Sequence, residues 1–217
     1  MKAFTQPLHD LSEYDQIVSD LAGHRTPIHI DGCIDSQKCH LISSIGEPYP
    51  FKLIVTYNEI KAKEIYEDYR FFDRNVYYYP AKDIIFYNAD IHSNLIVSQR
   101  MAVIRRMMDR CPVTVGTTID GLSDRLLPLE ELQKNRCVFK VGDILPLEAL
   151  SRKLTALGFE RVSQVEGPGQ FAVRGGILDI YNLADECPYR VELWGDEIDS
   201  IRSFDAESQR SIEQVDE

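Results

Sequence analysis

Two α/β domains are predicted, the first around a parallel sheet and the second, smaller one around a compact sheet of its own. Two observations carry this. Between Thr26 and Tyr79 the hydrophobic pattern runs strand, helix, strand, helix, strand, the rhythm of a parallel sheet with helices on both faces. Between Gly167 and Asp205 lies the densest strand signal in the chain, four short runs separated by turn-forming residues. The change from one pattern to the other near Asn135 divides the chain into residues 1–135 and 136–217.

Composition narrows the classes of function. A chain of 217 residues, 44% hydrophobic and 27% charged, suits folded globular domains. No apolar run approaches the ~20 residues that a bilayer span needs, and the N-terminus lacks the apolar core of a signal peptide. A cytoplasmic protein without membrane contact is expected. Cys33, Cys39, Cys111, Cys137 and Cys187 are scattered without a close CxxC pair, which fits reduced thiols and offers no metal site. The formal net charge of -11 divides into -4 before the boundary and -7 after it. Neither half has the positive field that non-specific phosphate binding requires, so DNA would need a local patch or another domain.

In the first domain, apolar residues from Leu11 to Leu21 recur at helical spacing. Thr26 to Ile30 reads as a short buried strand, followed by a helix from Ser36 to Ile45. Phe51 to Thr56 is a second strand, Asn58 to Tyr69 a helix, and Asn75 to Tyr79 a third strand ended by Pro80. The apolar cluster Ile84 to Tyr87 lacks a period and reads as a packed loop. Leu95 to Met108 is again helical, Pro112 to Thr117 a fourth strand, and Leu126 to Leu132 a short helical segment.

Between the first strand and the first sheet helix a nucleotide-binding loop is expected, and half of one is present. The pattern GxxxxGK[ST] needs a second glycine so that the backbone can wrap phosphate, a lysine for charge and a hydroxyl for magnesium. Gly32 and Lys38 hold the first and lysine positions, but Gln37 replaces the glycine and Cys39 the hydroxyl. The residues read as a degenerate P-loop remnant without nucleotide, or as a chance match, with no catalytic residue or bound cofactor expected. Asp83 and Asp120 are carboxylates near strand ends, where a motor would hold magnesium, but neither restores the missing phosphate cradle. Arg100, Arg105, Arg106 and Arg110 give the Leu95–Met108 helix the chain's most basic local surface. An ATP-binding or DNA-binding repair helicase fragment is the competing class, resting on these two features.

In the second domain, Arg136 to Val141 reads as a linking strand and Leu147 to Leu157 as a helix ended by Gly158. Phe159 to Val165 opens the sheet. Period two then sorts the strand Tyr189–Trp194 between faces, with Tyr189, Val191 and Leu193 inward and Arg190, Glu192 and Trp194 outward. A tryptophan on the charged face is unexpected. The same parity sets Arg174 opposite the inward Phe171 and Val173, so a second arginine joins that outer face. Arginine and tryptophan are over-represented among residues that dominate interface energies, because each combines large area with directional donors. The plain alternative is a tryptophan packed under a loop beside solvated charges. The final residues SQRSIEQVDE are polar and show no terminal structural element.

The segments GPGQFAVRGGILDIY, PYRVELWGDEIDSIRSFD and SQRS, with YYYPAKDIIFYNADIHS and the pair Gln99–Arg100 in the first domain, resemble the N-terminal part of the bacterial transcription-repair coupling factors, Mfd. More distantly they resemble the matching region of the excision-repair protein UvrB. That resemblance implies a first domain of helicase type whose nucleotide site has decayed, and a second domain that recruits the repair protein UvrA. The family's partner-binding arginines match Arg174 in AVRGG and Arg190 in PYRVE, and its adjoining aromatic matches Trp194, where phenylalanine is more familiar. It also implies that ATP and magnesium, RNA polymerase and duplex DNA are handled by later domains of a longer protein, an ATP-dependent translocase. This segment itself is expected to be non-catalytic.

Overall fold

The computed structural model describes residues 5–82, 90–183 and 185–217. The expected loop at Ile84–Tyr87 and the carboxylate Asp83 lie outside them. The chain divides into two compact units, one of residues 1–84 and 102–125, the other of residues 85–101 and 126–217.

The first unit begins with a 3-10 turn, Gln6–Asp10, and a helix α1, Tyr14–Ala22. Helix α2, Asp35–Ile45, precedes strand β1, Phe51–Thr56, then helix α3, Glu59–Tyr69, and strand β2, Val76–Tyr79. The Asn58 side chain caps α3 by accepting from the Lys61 backbone N–H, the usual way a short polar residue satisfies a free donor at a helix start. Helix α4, Asp90–Met108, belongs to this unit only from residue 102 onward, and leads to strand β3, Val113–Thr118, and the short helix α5, Ile119–Ser123. All three strands are parallel in the order β1-β3-β2. The central strand reads Val-Thr-Val-Gly-Thr-Thr and is buried at every position, as a parallel strand covered on both faces should be. Its buried hydroxyls are satisfied: Thr117 donates to the Tyr79 carbonyl at 2.7 Å and Thr114 to Asp73 at 3.1 Å.

The expected strand Thr26–Ile30 does not form; these residues have no regular secondary structure and do not join the sheet. Pro27 removes a ladder donor, and Ile30 remains 40% exposed, so little burial rewards pairing. The sheet thus lacks the strand that would stand behind a phosphate loop.

The second unit contains helix α6, Leu129–Asn135, and helix α7, Leu147–Ala156, then six strands. They are β4 (Glu160–Arg161), β5 (Gln170–Arg174), β6 (Ile177–Ile180), β7 (Tyr189–Trp194), β8 (Glu197–Phe204) and β9 (Ser211–Val215), adjacent in chain order. The β4–β5 pair is parallel and the rest antiparallel. One face carries Phe171, Leu178, Val191, Ile198 and Ile201 against Leu150 and Leu154 of α7, forming the core. Each such side chain, fully removed from water, contributes roughly 1.5–3 kcal/mol of transfer free energy.

Three expectations change here. Arg136–Val141 is no strand, although Cys137 and Phe139 still pack on the core. The predicted strand Phe159–Val165 shrinks to Glu160–Arg161. The polar tail forms the sixth strand, an edge strand in which Ile212 stays 61% exposed and Val215 packs against the core, so it carries little hydrophobic signature.

Candidate protein-docking face

The sheet's second face is where the sequence-predicted residues meet. Register pairs Asp179 on β6 with both Ala172 on β5 and Arg190 on β7, and Arg190 with Arg202 on β8. Side chains in register share a face, so Arg174, Asp179, Arg190, Glu192 and Arg202 lie opposite the core, and alternation along β7 puts Trp194 on the same side, beyond a register shift between Glu192 and Leu193. A smaller apolar patch of Val165, Ala172 and Phe204 is buried on that side.

Asp179 is the centre of the arrangement. Its side chain is completely buried, yet it sits between two arginines from the flanking strands. Arg190 grips it with both arms of the guanidinium, Nε to Oδ1 at 2.7 Å and Nη2 to Oδ2 at 2.9 Å. Arg174 adds Nη2 to the same Oδ2 at 2.5 Å. Two charge-assisted partners offset the cost of taking a carboxylate out of water, which one partner or none would not.

The two arginines are held differently. Arg190 also donates to Gln209 at 3.2 Å, lies 4.5 Å over the Phe204 ring and keeps only 18% of its side chain exposed. The Asp179 carboxylate beside it raises its already high pKa further. Arg174 keeps 46% of its side chain exposed. Next to this cluster, Arg202 pairs with Glu192, whose carboxylate also takes the Ser200 hydroxyl at 3.2 Å.

Trp194 ends β7 and is 86% exposed. Two turns place it. Trp194 faces Glu197 across the two-residue turn Gly195-Asp196, where Gly195 has φ +65, the conformation a type II′ hairpin needs at its first position. The neighbouring turn Gly175-Gly176 touches the end of the same strand, with the Leu193 N–H donating to the Gly176 carbonyl at 2.8 Å. A Cβ on Gly176 would fall 2.9 Å from the Leu193 oxygen, so glycine permits the close approach.

The sequence reading brought Arg174, Arg190 and Trp194 to one face but missed Asp179, Phe204 and Gln209. Asp179 had a signal: it stands inside an apolar run, with the parity of Arg190. A shallow groove of about 350 Å³ in this unit is lined by Leu147, Glu148, Ser151, Arg152, Arg161 and Val173, none of them on the arginine–tryptophan face.

The first unit's candidates assemble less. Lys38 donates to Asp35 at 3.2 Å, and Asp35 also takes Lys61, so the lysine of the half-motif is already paired within the chain. Hydrogen bonds from Lys61 and Lys38 hold the Asp35 carboxyl below its ordinary pKa. Gly32 lies in an exposed bend with no strand before it. Asp120 is exposed in the first turn of α5. The expected basic surface of α4 is also corrected. Arg100 is buried, and Arg106 is turned onto Asn75 at 2.8 Å and the Pro112 carbonyl at 3.0 Å. Arg105 and Arg110 remain exposed, too few for a phosphate track. Among the described residues no helix is long and apolar enough to cross a membrane.

Comparison with known proteins follows the same division. Residues 137–217 match the family model of the UvrB interaction domain. The transcription-repair-coupling factor of Bacillus subtilis (strain 168) is 35% identical over 162 residues, 74% of this chain and 14% of that protein. Its counterpart in Staphylococcus haemolyticus (strain JCSC1435) is 31% identical over 205 residues, 93% of this chain and 17% of that protein. That of Staphylococcus aureus (strain NCTC 8325 / PS 47) is 34% identical over 167 residues, 76% of this chain and 14% of that protein. The chain therefore spans only 14–17% of the length of these curated relatives. It is a homologue of the transcription-repair-coupling factors, and its residues 137–217 belong to the UvrB interaction domain family.

Proposed function

We propose that this chain is a non-catalytic docking module for UvrA in nucleotide excision repair, acting within a transcription-repair-coupling factor to bring UvrA to stalled RNA polymerase. The observation that carries the proposal is the arginine pair on Asp179 sharing a sheet face with an exposed tryptophan. Trp194, a residue 86% exposed, has a large aromatic area to bury on docking. Arg174 supplies free donors that match a partner carboxylate, while Arg190, already engaged, fixes the geometry beneath. Electrostatic matching then sets orientation, and Trp194 supplies the buried anchor.

In this reading the first unit is the remnant of a helicase-type domain, and ATP with magnesium, duplex DNA and RNA polymerase engage other domains of the longer protein. Calorimetric titration with purified UvrA tests the docking claim on Arg174→Ala, Arg190→Ala and Trp194→Ala, with circular dichroism confirming the fold. Weaker binding by Arg174→Ala and Trp194→Ala is expected. Unchanged affinity in both, with the fold intact, removes this face as the site.

A further inference from the structure

We infer that Asp179 is a positioning residue of the docking face, touching no partner itself but presenting Arg174 to an incoming carboxylate. This rests on the docking reading above and adds a residue to it. Asp179 has no exposed side-chain surface, so any effect it has on binding must pass through its neighbours. Its two oxygens receive three hydrogen bonds from two guanidinium groups, on strands to either side of its own. A fork-shaped guanidinium bonded through two nitrogens to one carboxylate cannot rotate, so the Asp179–Arg190 unit is rigid.

That rigidity extends outward. Gln209, which takes a hydrogen bond from Arg190, is itself fixed by donating to the carbonyls of Val165 at 3.0 Å and Ala206 at 2.7 Å. Phe204 closes the other side of the Arg190 guanidinium. Asp179 Oδ2 then serves as a fixed anchor for Arg174, a side chain that would otherwise sample many rotamers over an exposed surface. Ordering such a side chain before the partner arrives removes a cost that binding would otherwise bear. The neighbouring Glu192 cannot substitute, since Arg202 and Ser200 occupy its carboxylate. Two guanidinium groups against one carboxylate leave the cluster one positive charge over, and the group that completes it is a carboxylate of the partner.

The test is a double-mutant cycle read by calorimetric titration of the intact chain with UvrA. Arg174→Ala and Asp179→Asn are each expected to weaken binding about tenfold, the loss of roughly one charge-assisted hydrogen bond. Combined, they should bind within about threefold of Arg174→Ala alone, because Asp179 acts through Arg174. With Trp194→Ala, by contrast, Asp179→Asn should multiply in full. A purely structural aspartate would weaken all backgrounds by the same factor, and that outcome, or affinity within twofold of the parent for Asp179→Asn, overturns the inference while leaving docking intact. If Arg174→Ala and Trp194→Ala have no effect, docking itself fails and this inference with it. A second readout needs no variant. In nitrogen-15 spectra of the unaltered chain, Arg190 Nε–H should give a protected resonance with hindered guanidinium rotation. A freely rotating, rapidly exchanging Arg190 also overturns the inference.

Discussion

Both regions that the sequence singles out place cations beside an aspartate, and they differ in where that aspartate sits. At the half-motif of Gly32 and Lys38, Asp35 is 49% exposed and takes Lys38, equally exposed, together with Lys61, whose side chain is 17% exposed. Nothing stands behind the loop, since Thr26–Ile30 forms no strand. On the second unit's sheet, Asp179 is completely buried and flanked by strands on both sides. The first pairing keeps its carboxylate half open to water and satisfies it with two lysines of the same unit. Burial makes the second a carboxylate shared by an enclosed Arg190, 18% exposed, and a more open Arg174, 46% exposed. The lesson is that a carboxylate hidden from water organises long basic side chains, whereas an exposed one merely neutralises them.

The sharpest way to break this comparison is to remove the buried aspartate. Asp179→Ala leaves two guanidinium groups without their shared partner and should cost about 3–5 kcal/mol of stability, read as a fall in the urea midpoint. A loss no greater than that of Lys38→Ala would erase the distinction between the two regions. Next in size, Trp194→Ala should weaken UvrA binding by about 2 kcal/mol or more, as central aromatic anchors do, yet leave the urea midpoint unchanged because the indole is exposed. A stability loss instead would mean that the indole packs on its own domain.

A smaller effect concerns acid stability in the first unit. Burial pushes the Asp73 carboxyl up, but the Asn75 backbone N–H at 2.8 Å, the Thr114 hydroxyl at 3.1 Å and Lys52 at 3.4 Å outweigh it, and the net pKa lies below the ordinary value. A lowered folded pKa stabilises above the unfolded value of about 3.9, and that contribution is lost as pH falls through the folded value. Denaturation midpoints measured below about pH 4 should therefore fall less steeply in Asp73→Asn than in the parent. The smallest expected effect is at Lys38, where Lys38→Ala should leave the midpoint in place and titration of the parent with magnesium and ATP should give no saturable heat. Saturable binding lost in Lys38→Ala would restore the nucleotide reading.

Strands with strong local signatures were legible in the sequence. Phe51–Thr56 and Tyr189–Trp194 form as expected, because an apolar run between breakers and a clean alternation are both decided locally. Thr26–Ile30 and Ser211–Val215 were misread in opposite directions, since whether a short segment pairs depends on a neighbour that its own residues do not describe. At the site, alternation was enough to place Arg174, Arg190 and Trp194 on one face. It could not separate the locked arginine from the open one. That difference comes from Asp179, Gln209 and Phe204, which lie 5 to 19 positions away in the chain and meet only through the sheet register.

Trp194 is the only tryptophan in the chain, so a single probe can report on the docking face directly. Grown with 5-fluorotryptophan, the chain should give one fluorine-19 resonance at the position of a water-exposed indole. Addition of saturating UvrA is predicted to shift and broaden that resonance as the ring is buried. A resonance that keeps its position and width while calorimetry shows UvrA bound would place the contact elsewhere and contradict the account.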